Sequence, residues 1–338
     1  MYIYWHLQLH NKHSFIINIQ VLMEKKVLII GSGLLGCGLK SLFDQKGVST
    51  KITMRRNSTE KSVVMKSLKK TFKEDLITNG GHVCDDIGDY REVVNNFKPD
   101  LAIITIPMPT DEQLNYFLGI DNCRKIYISS PASDEAKTNP ASQNPYGSIK
   151  LSHEKLTNSY GQIALQIGFI PELGEMNGKV IPSGLSMKTM LMCNLRSMTV
   201  DNHEVLDWYL KRFDTSSGFT CTPIRNVFDF CYDIVTEQIP YPKELIGRTI
   251  AMHSNQIWLR HQIIDGLSNK NFQNLSTLCL ETKPVKEFKK AFGDRFNVTH
   301  DDVLMAIRDN TKVFQQNRIN LMEIVIEYAN DEYTKSKL

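Results

Sequence analysis

The chain has 338 residues, 41% of them apolar, and a formal net charge of +3. That length holds one large α/β domain or two coupled lobes, and the apolar share is ordinary for a chain with a full core. The small, dispersed charge leaves no footprint for nucleic acid or a membrane surface, and no run approaches the ~18 uninterrupted apolar residues of a spanning helix.

The seven cysteines (Cys37, Cys84, Cys123, Cys193, Cys221, Cys231 and Cys279) are scattered and form no CxxC pair. This argues against a disulfide framework and a structural zinc site, so no metal is expected, and it points to a reducing, cytoplasmic setting.

Residues 1–22 carry three histidines and no small-residue cleavage site, so they make a poor signal peptide. They read as an extension, disordered or added as an edge strand, ahead of a natural start at Met23-Glu-Lys-Lys. Next, Lys25-Lys-Val-Leu-Ile-Ile30 runs into Gly31-Ser32-Gly33-Leu34-Leu35-Gly36, the pattern of strand, glycine turn and helix. Gly31 permits the tight turn, Gly33 lets a pyrophosphate approach the backbone, and Gly36 lets the helix pack on the strand. The helix N-terminus offers free amides to phosphate. The plainer alternative is a glycine-tolerant turn of another α/β protein.

Strand and helix signals then alternate. Strands are expected at Thr50–Met54, His82–Cys84, Leu101–Ile106, Lys125–Ile128 and Ile163–Ile167. Helices are expected at Glu60–Leu76, from an N-cap at Asp89 through Phe97, at Asp111–Leu118 and at Tyr146–Ser159. The Pro-, Ser- and Asn-rich stretch Pro131–Pro145 reads as loop. This order implies a doubly wound parallel sheet with right-handed crossovers. We take residues 23–170 as the dinucleotide-binding domain and 171–338 as a smaller, mainly helical substrate lobe that could return strands to the sheet. Within that lobe helices are expected near Glu204–Arg212 and Phe230–Glu237. The helical spacing of Asp301–Tyr328 marks a core-covering helix or, as the lesser reading, a homodimer contact.

Tyr146 and Lys150, in the run Asn144-Pro-Tyr-Gly-Ser-Ile-Lys150, lie four residues apart on one helix face. A free phenol titrates near about 10, and a neighbouring ammonium favours its ionised form. Such a pair points to a proton donor for carbonyl reduction or a base for the reverse. If the helix merely starts here, the tyrosine has no such role.

The ordered set GSGLLG, Asp86-Ile-Gly-Asp89, YISS and NPYGSIKLSHE resembles the extended short-chain dehydrogenase/reductase family of nucleotide-sugar epimerases, dehydratases and reductases, over roughly Lys25 to Pro171. The resemblance implies a Rossmann fold and a catalytic set of Ser130, Tyr146 and Lys150, with Ser129 as the neighbouring candidate. Lys150 would lower the tyrosine's pKa and hold the nicotinamide ribose. Asp86 and Ile87 would contact the adenine, although Asp86 could equally cap a helix. A weaker likeness, to a strand and helix, covers Arg225-Asn-Val-Phe and Asp233-Ile-Val.

The second strand ends in Arg55-Arg56 with no acid. Arginine suits a ribose 2′-phosphate, so NADP is expected over NAD. The chain also departs from the family. Ile30 stands where a further glycine is usual, and Ile104-Thr-Ile-Pro-Met-Pro109 is bulky enough to obstruct the nicotinamide. Gln166 replaces a frequent arginine, and only 16 positions separate Ser130 from Tyr146. The expected function is an NAD(P)-dependent oxidoreductase or epimerase acting on a small nucleotide-sugar-like molecule. The alternative is a dinucleotide-binding regulator or sensor without turnover.

Overall fold

The computed structural model describes residues 25–56, 73–139, 145–172, 175–176, 179–180, 192–197, 204–212, 216, 218–239, 241, 245–253, 256–271, 276–278, 281–316 and 318–337. The expected extension at 1–22 and most of the expected helix Glu60–Leu76 lie outside these residues.

The first half follows strand–helix alternation. It runs β1 (Lys26–Ile30), α1 (Leu34–Gln45), β2 (Ser49–Met54), β3 (Gly81–Val83), α2 (Ile87–Phe97), β4 (Leu101–Ile104), α3 (Asp111–Leu118), β5 (Arg124–Ser129), α4 (Ala132–Thr138), α5 (Pro145–Ser159) and β6 (Ile163–Ile167). After it come β7 (Glu175–Met176), β8 (Lys179–Val180), α6 (Glu204–Arg212), β9 (Gly218–Phe219), α7 (Ile224–Val235), β10 (Thr249–Met252), β11 (Gln256–Leu259) and α8 (Arg260–Asn269). β12 (Ser276–Leu278), α9 (Lys283–Phe292), α10 (His300–Gln316) and α11 (Arg318–Lys335) complete the chain.

Seven strands form one sheet in the order β10-β6-β5-β4-β1-β2-β3, every neighbouring pair parallel. This is the doubly wound Rossmann-like α/β architecture expected from the alternation. Strand β1 shows why it forms. Val27 through Ile30 are all fully buried, as in a parallel strand covered on both faces. Val27 and Ile29 join the core beneath α1 and α7, while Leu28 and Ile30 join the core beneath α2 and α3. The chain winds outward from β1 through β2 to β3, then crosses back to β4 on the other side. The C-terminal ends of β1 and β4 therefore flank the topological switch point, where open α/β sheets bind ligands.

Several local expectations shift. Asp89 is not the N-cap of α2. Asp86 caps it, accepting from the Asp89 amide at 3.0 Å, while the Asp89 carboxylate accepts from the Asp85 and Asp86 amides at 2.7 and 3.3 Å. This is a capping box with an acid in the third position. The stretch expected as loop contains α4, because Ala132-Ser-Asp-Glu-Ala-Lys-Thr138 is a helix former with acids in its first turn. Arg225 to Val235 lies within the single helix α7. Its buried side chains include Val227, Phe228, Phe230, Cys231 and Ile234, a spacing that selects helix over strand.

The second half contributes β10, which docks parallel on β6. A separate antiparallel sheet orders β12-β11-β9. The tail is two helices, α10 and α11, in which Val303, Leu304, Ile307 and Val325 are buried in the core. For these four residues the burial supports the core-covering reading.

Candidate active site

A cleft of about 1110 Å³ opens at the switch point. It exceeds the ~300–1,000 Å³ of an ordinary small-molecule pocket, which leaves room for a dinucleotide and a second molecule. Gly31, Ser32, Gly33, Leu34, Leu35 and Gly36 line its floor. Gly31 has φ +119°, and a Cβ there would meet Thr105 Oγ1 at 2.8 Å. A Cβ on Gly36 would fall on the Gly31 carbonyl oxygen, whereas one on Gly33 would meet nothing within 4 Å. The first and last glycines thus serve the packing of α1 on β1, and the middle one leaves open space. The N-cap of α1 is Gly33, which has no side chain to cap it, so among the described residues no cap competes for its first amides, the arrangement that receives phosphate.

Thr105 ties the turn to β4. Its hydroxyl donates to the Ile30 and Gly31 carbonyls at 3.1 and 3.0 Å. With that anchor, Thr105, Ile106, Pro107 and Met108 form a wall of the cleft rather than a plug in it. Met108 is 50% exposed and lines the open cleft.

Ser129, Ser130, Tyr146 and Lys150 all line the same cleft. The two serines differ in their bonds. Ser129 Oγ donates to Glu154 Oε1 at 2.5 Å, and Glu154 also accepts from Ser133 at 2.6 Å and Gln166 at 3.1 Å. Ser129 and Gln166 therefore hold a buried carboxylate, while the Ser130 hydroxyl, which accepts from the Ala132 amide at 3.3 Å, stays on the cleft with Tyr146. Lys150 Nζ donates to the Ile128 carbonyl at 2.8 Å and the Tyr127 hydroxyl at 3.0 Å, and lies 5.8 Å from the Tyr146 ring centre.

The electrostatics differ from the sequence expectation. Burial pushes the Tyr146 phenol up, with the nearby Ser130 hydroxyl opposing it. Burial also lowers Lys150 to about 7, against a smaller opposing pull from Glu154. With its own pKa lowered, Lys150 supports ionisation of the neighbouring phenol less than an exposed ammonium would. Tyr146 stands as a proton donor, and Lys150 as a group able to take or give a proton near neutrality.

At the other end of the cleft, Thr53, Met54, Arg55 and Lys73 form the lining at the end of β2. Only one of the two arginines faces in. Arg56 instead pairs with Asp85 at 3.0 Å, its side chain 75% exposed. Asp86 and Ile87 sit at the N-terminus of α2, outside the lining, with Asp86 occupied as the cap. The far wall consists of Ile167 to Ile170, Gly218 to Thr220 and Ile257. Phe169 and Phe219 pack with ring centres 4.5 Å apart, held by the pairing of Phe169 with Thr220 and Thr222.

The sequence did not single out Lys73, Phe169, Phe219 and Ile257, and it placed Thr105 near the cofactor only within the run 104–109. It also missed Tyr127 and His153, which lie behind Lys150. The spacing of His153, three residues after Lys150 on the same helix face, was a usable signal.

No family model matches this sequence, and no curated protein matches it. Solved structures do. An epimerase from the methanogen Methanothermobacter thermautotrophicus aligns over 91% of this chain and 98% of its own, with 12% identity and a TM-score of 0.52. UDP-glucose 4-epimerase of Thermus thermophilus, solved with NAD, aligns over 85% and 99%, with 10% identity and a TM-score of 0.56. ADP-L-glycero-D-manno-heptose-6-epimerase of Helicobacter pylori aligns over 86% and 96%, with 14% identity and a TM-score of 0.56. At these identities the likeness is one of fold, and it spans nearly the whole of each structure: this chain has the fold of those epimerases, including the part that follows the first six strands.

Proposed function

We propose that this chain is an NAD(P)-dependent oxidoreductase, or an epimerase working through transient oxidation. The observation that carries this reading is the convergence of an uncapped glycine-turn helix with Ser130, Tyr146 and Lys150 on one cleft. A bound nicotinamide supplies the hydride chemistry. Tyr146 gives a proton to the substrate oxygen, or removes it in the reverse direction, and Ser130 holds the Tyr146 hydroxyl and stabilises developing charge on that oxygen. Lys150 holds the cofactor's ribose. The amides at Gly33 to Gly36 receive the pyrophosphate.

Arg55, with Lys73 beside it, favours NADP over NAD through a 2′-phosphate. Asp86 and Ile87 remain a proposed adenine contact only if α2 shifts toward the cleft. The chain is divided at about residue 170 into a cofactor-binding part and a substrate part, although β10 rejoins the first sheet. The solved neighbours, among them a UDP-glucose 4-epimerase and an ADP-heptose epimerase, support a nucleotide sugar as the substrate class, and the Phe169–Phe219 wall would meet its apolar faces.

Thermal-shift titration with NADPH, NADH and a panel of nucleotide sugars tests the reading, since ligands selective for the folded form raise the melting temperature. A shift with NADPH above that with NADH is expected. A shift with NADH alone overturns the role given to Arg55, and no shift with either overturns the function.

A further inference from the structure

Behind Lys150 lies a line of polar groups that the proposed chemistry leaves unused. Lys150 Nζ, only 2% exposed as a residue, meets the Tyr127 hydroxyl at 3.0 Å. Tyr127 is fully buried on β5, and its hydroxyl lies 3.0 Å from His153 Nδ1. On the other side of the imidazole, Nε2 lies 3.6 Å from Asp111 Oδ1, and that carboxylate is 81% exposed. Asp111 opens α3, and Lys150 and His153 share a face of α5, so the line runs from the cleft wall between two helices to bulk water.

The donors have one consistent direction. An ammonium can only donate, so the Tyr127 oxygen accepts from Lys150. The Tyr127 O–H is then free to donate to Nδ1, which places the ring proton on Nε2, toward Asp111. This arrangement needs a neutral imidazole. Burial, with Lys150 assisting, holds the His153 pKa below its ordinary value against the opposing pull of Asp111. Glu154, the carboxylate acting on Lys150, is bonded to Ser129, Ser133 and Gln166 instead. A core that required only packing could place phenylalanine at 127, because burying hydroxyl, imidazole and amine together is costly unless each is satisfied.

We propose that Lys150, Tyr127, His153 and Asp111 form a proton relay between the cleft and bulk solvent. Its use in catalysis rests on Tyr146 acting as acid or base. In an outward passage Lys150 gives a proton to Tyr127, Tyr127 gives its own to His153 Nδ1, and His153 releases the Nε2 proton to Asp111 or water. One proton leaves, Lys150 is left neutral, and the imidazole is left as its Nδ1–H tautomer. The inward passage reverses each transfer and resets the ring. Histidine is suited to such shuttling because its two nitrogens exchange roles without net charge.

The test is solvent exchange of the Lys150 ammonium hydrogens, followed by nitrogen-15 NMR on the uncomplexed full chain below the pH of about 7 at which Lys150 titrates. The signal is assigned by its loss in Lys150→Met. Tyr127→Phe is expected to slow the exchange by about tenfold or more, and His153→Ala likewise, with added imidazole restoring the rate in the alanine variant. Exchange within about twofold of the wild type in Tyr127→Phe, or no response of His153→Ala to imidazole, overturns the relay. Should His153→Ala fail to fold, Tyr127→Phe decides alone, since it removes one hydroxyl and keeps the ring. The measurement needs neither cofactor nor substrate, so its failure is separate from a failed NADPH titration.

Discussion

The near wall of the cleft, from Gly31 to Lys150, is built from the ends of adjacent parallel strands and the helices that follow them. The far wall joins pieces distant in the chain: the end of β6, Gly218 to Thr220, and Ile257 on a separate antiparallel sheet. The near wall carries hydrogen-bonding and titratable groups with defined partners. The far wall is mainly apolar, with a pair of aromatic rings. The difference separates two tasks. Fixing a cofactor and a proton donor requires rigid elements and satisfied polar groups. A wall that presents apolar surface can vary in sequence as long as its shape is kept.

The sharpest way to break this comparison is Tyr146→Phe. With any nucleotide sugar that the titration identifies, turnover should fall by ~10²–10⁴-fold while NADPH affinity holds. A loss of affinity instead, read by fluorescence titration, would make Tyr146 a binding residue. Phe219→Ala, on the far wall, should raise the KM of that same compound and leave NADPH binding unchanged.

The glycines come next. Gly36→Ala drives a Cβ into the Gly31 carbonyl and should cost about 1–3 kcal/mol of stability by denaturant unfolding, along with cofactor binding. Gly33→Ala has open space and should leave stability within about 0.5 kcal/mol. It should still weaken NADPH, because the methyl enters the cleft.

Lys150 offers a smaller effect with a definite sign. Its pKa is lowered in the folded chain to about 7, below the ~10.4 of an unfolded lysine. Between those values the unfolded state binds more protons, so this residue's contribution makes stability rise with pH. Lys150→Met should therefore be more stable than the wild type near neutrality. The gap should shrink by up to about 1.4 kcal/mol per pH unit toward pH ~9.5. A constant gap in urea unfolding midpoints would show that the ammonium is not buried at a cost. Smallest of all, Arg55→Ala should lower the preference for NADPH over NADH by about tenfold, roughly 1.4 kcal/mol. Arg56→Ala, which loses only an exposed pair with Asp85, should barely change it.

Much of the near wall was legible in the sequence because its signals are local. Val27 to Ile30 must be a strand buried on both faces, and GSGLLG must turn into a helix. Tyr146 and Lys150 must share a helix face whatever surrounds them. The choice between Ser129 and Ser130 was not legible. It depends on which hydroxyl Glu154 captures, and that carboxylate is 25 residues from Ser129 along the chain. Likewise nothing in the dipeptide Arg55-Arg56 says that Asp85 holds the second arginine and leaves the first on the cleft.

Alone, the sequence determined the alternation, the glycine turn and the helical pairing of a phenol with an amine, because each follows from backbone sterics and side-chain period over a few residues. The tertiary structure decided how that pair titrates. Burial lowers the lysine's pKa to about 7 and raises the phenol's, and desolvation is a property of the surrounding core, to which every packed element contributes.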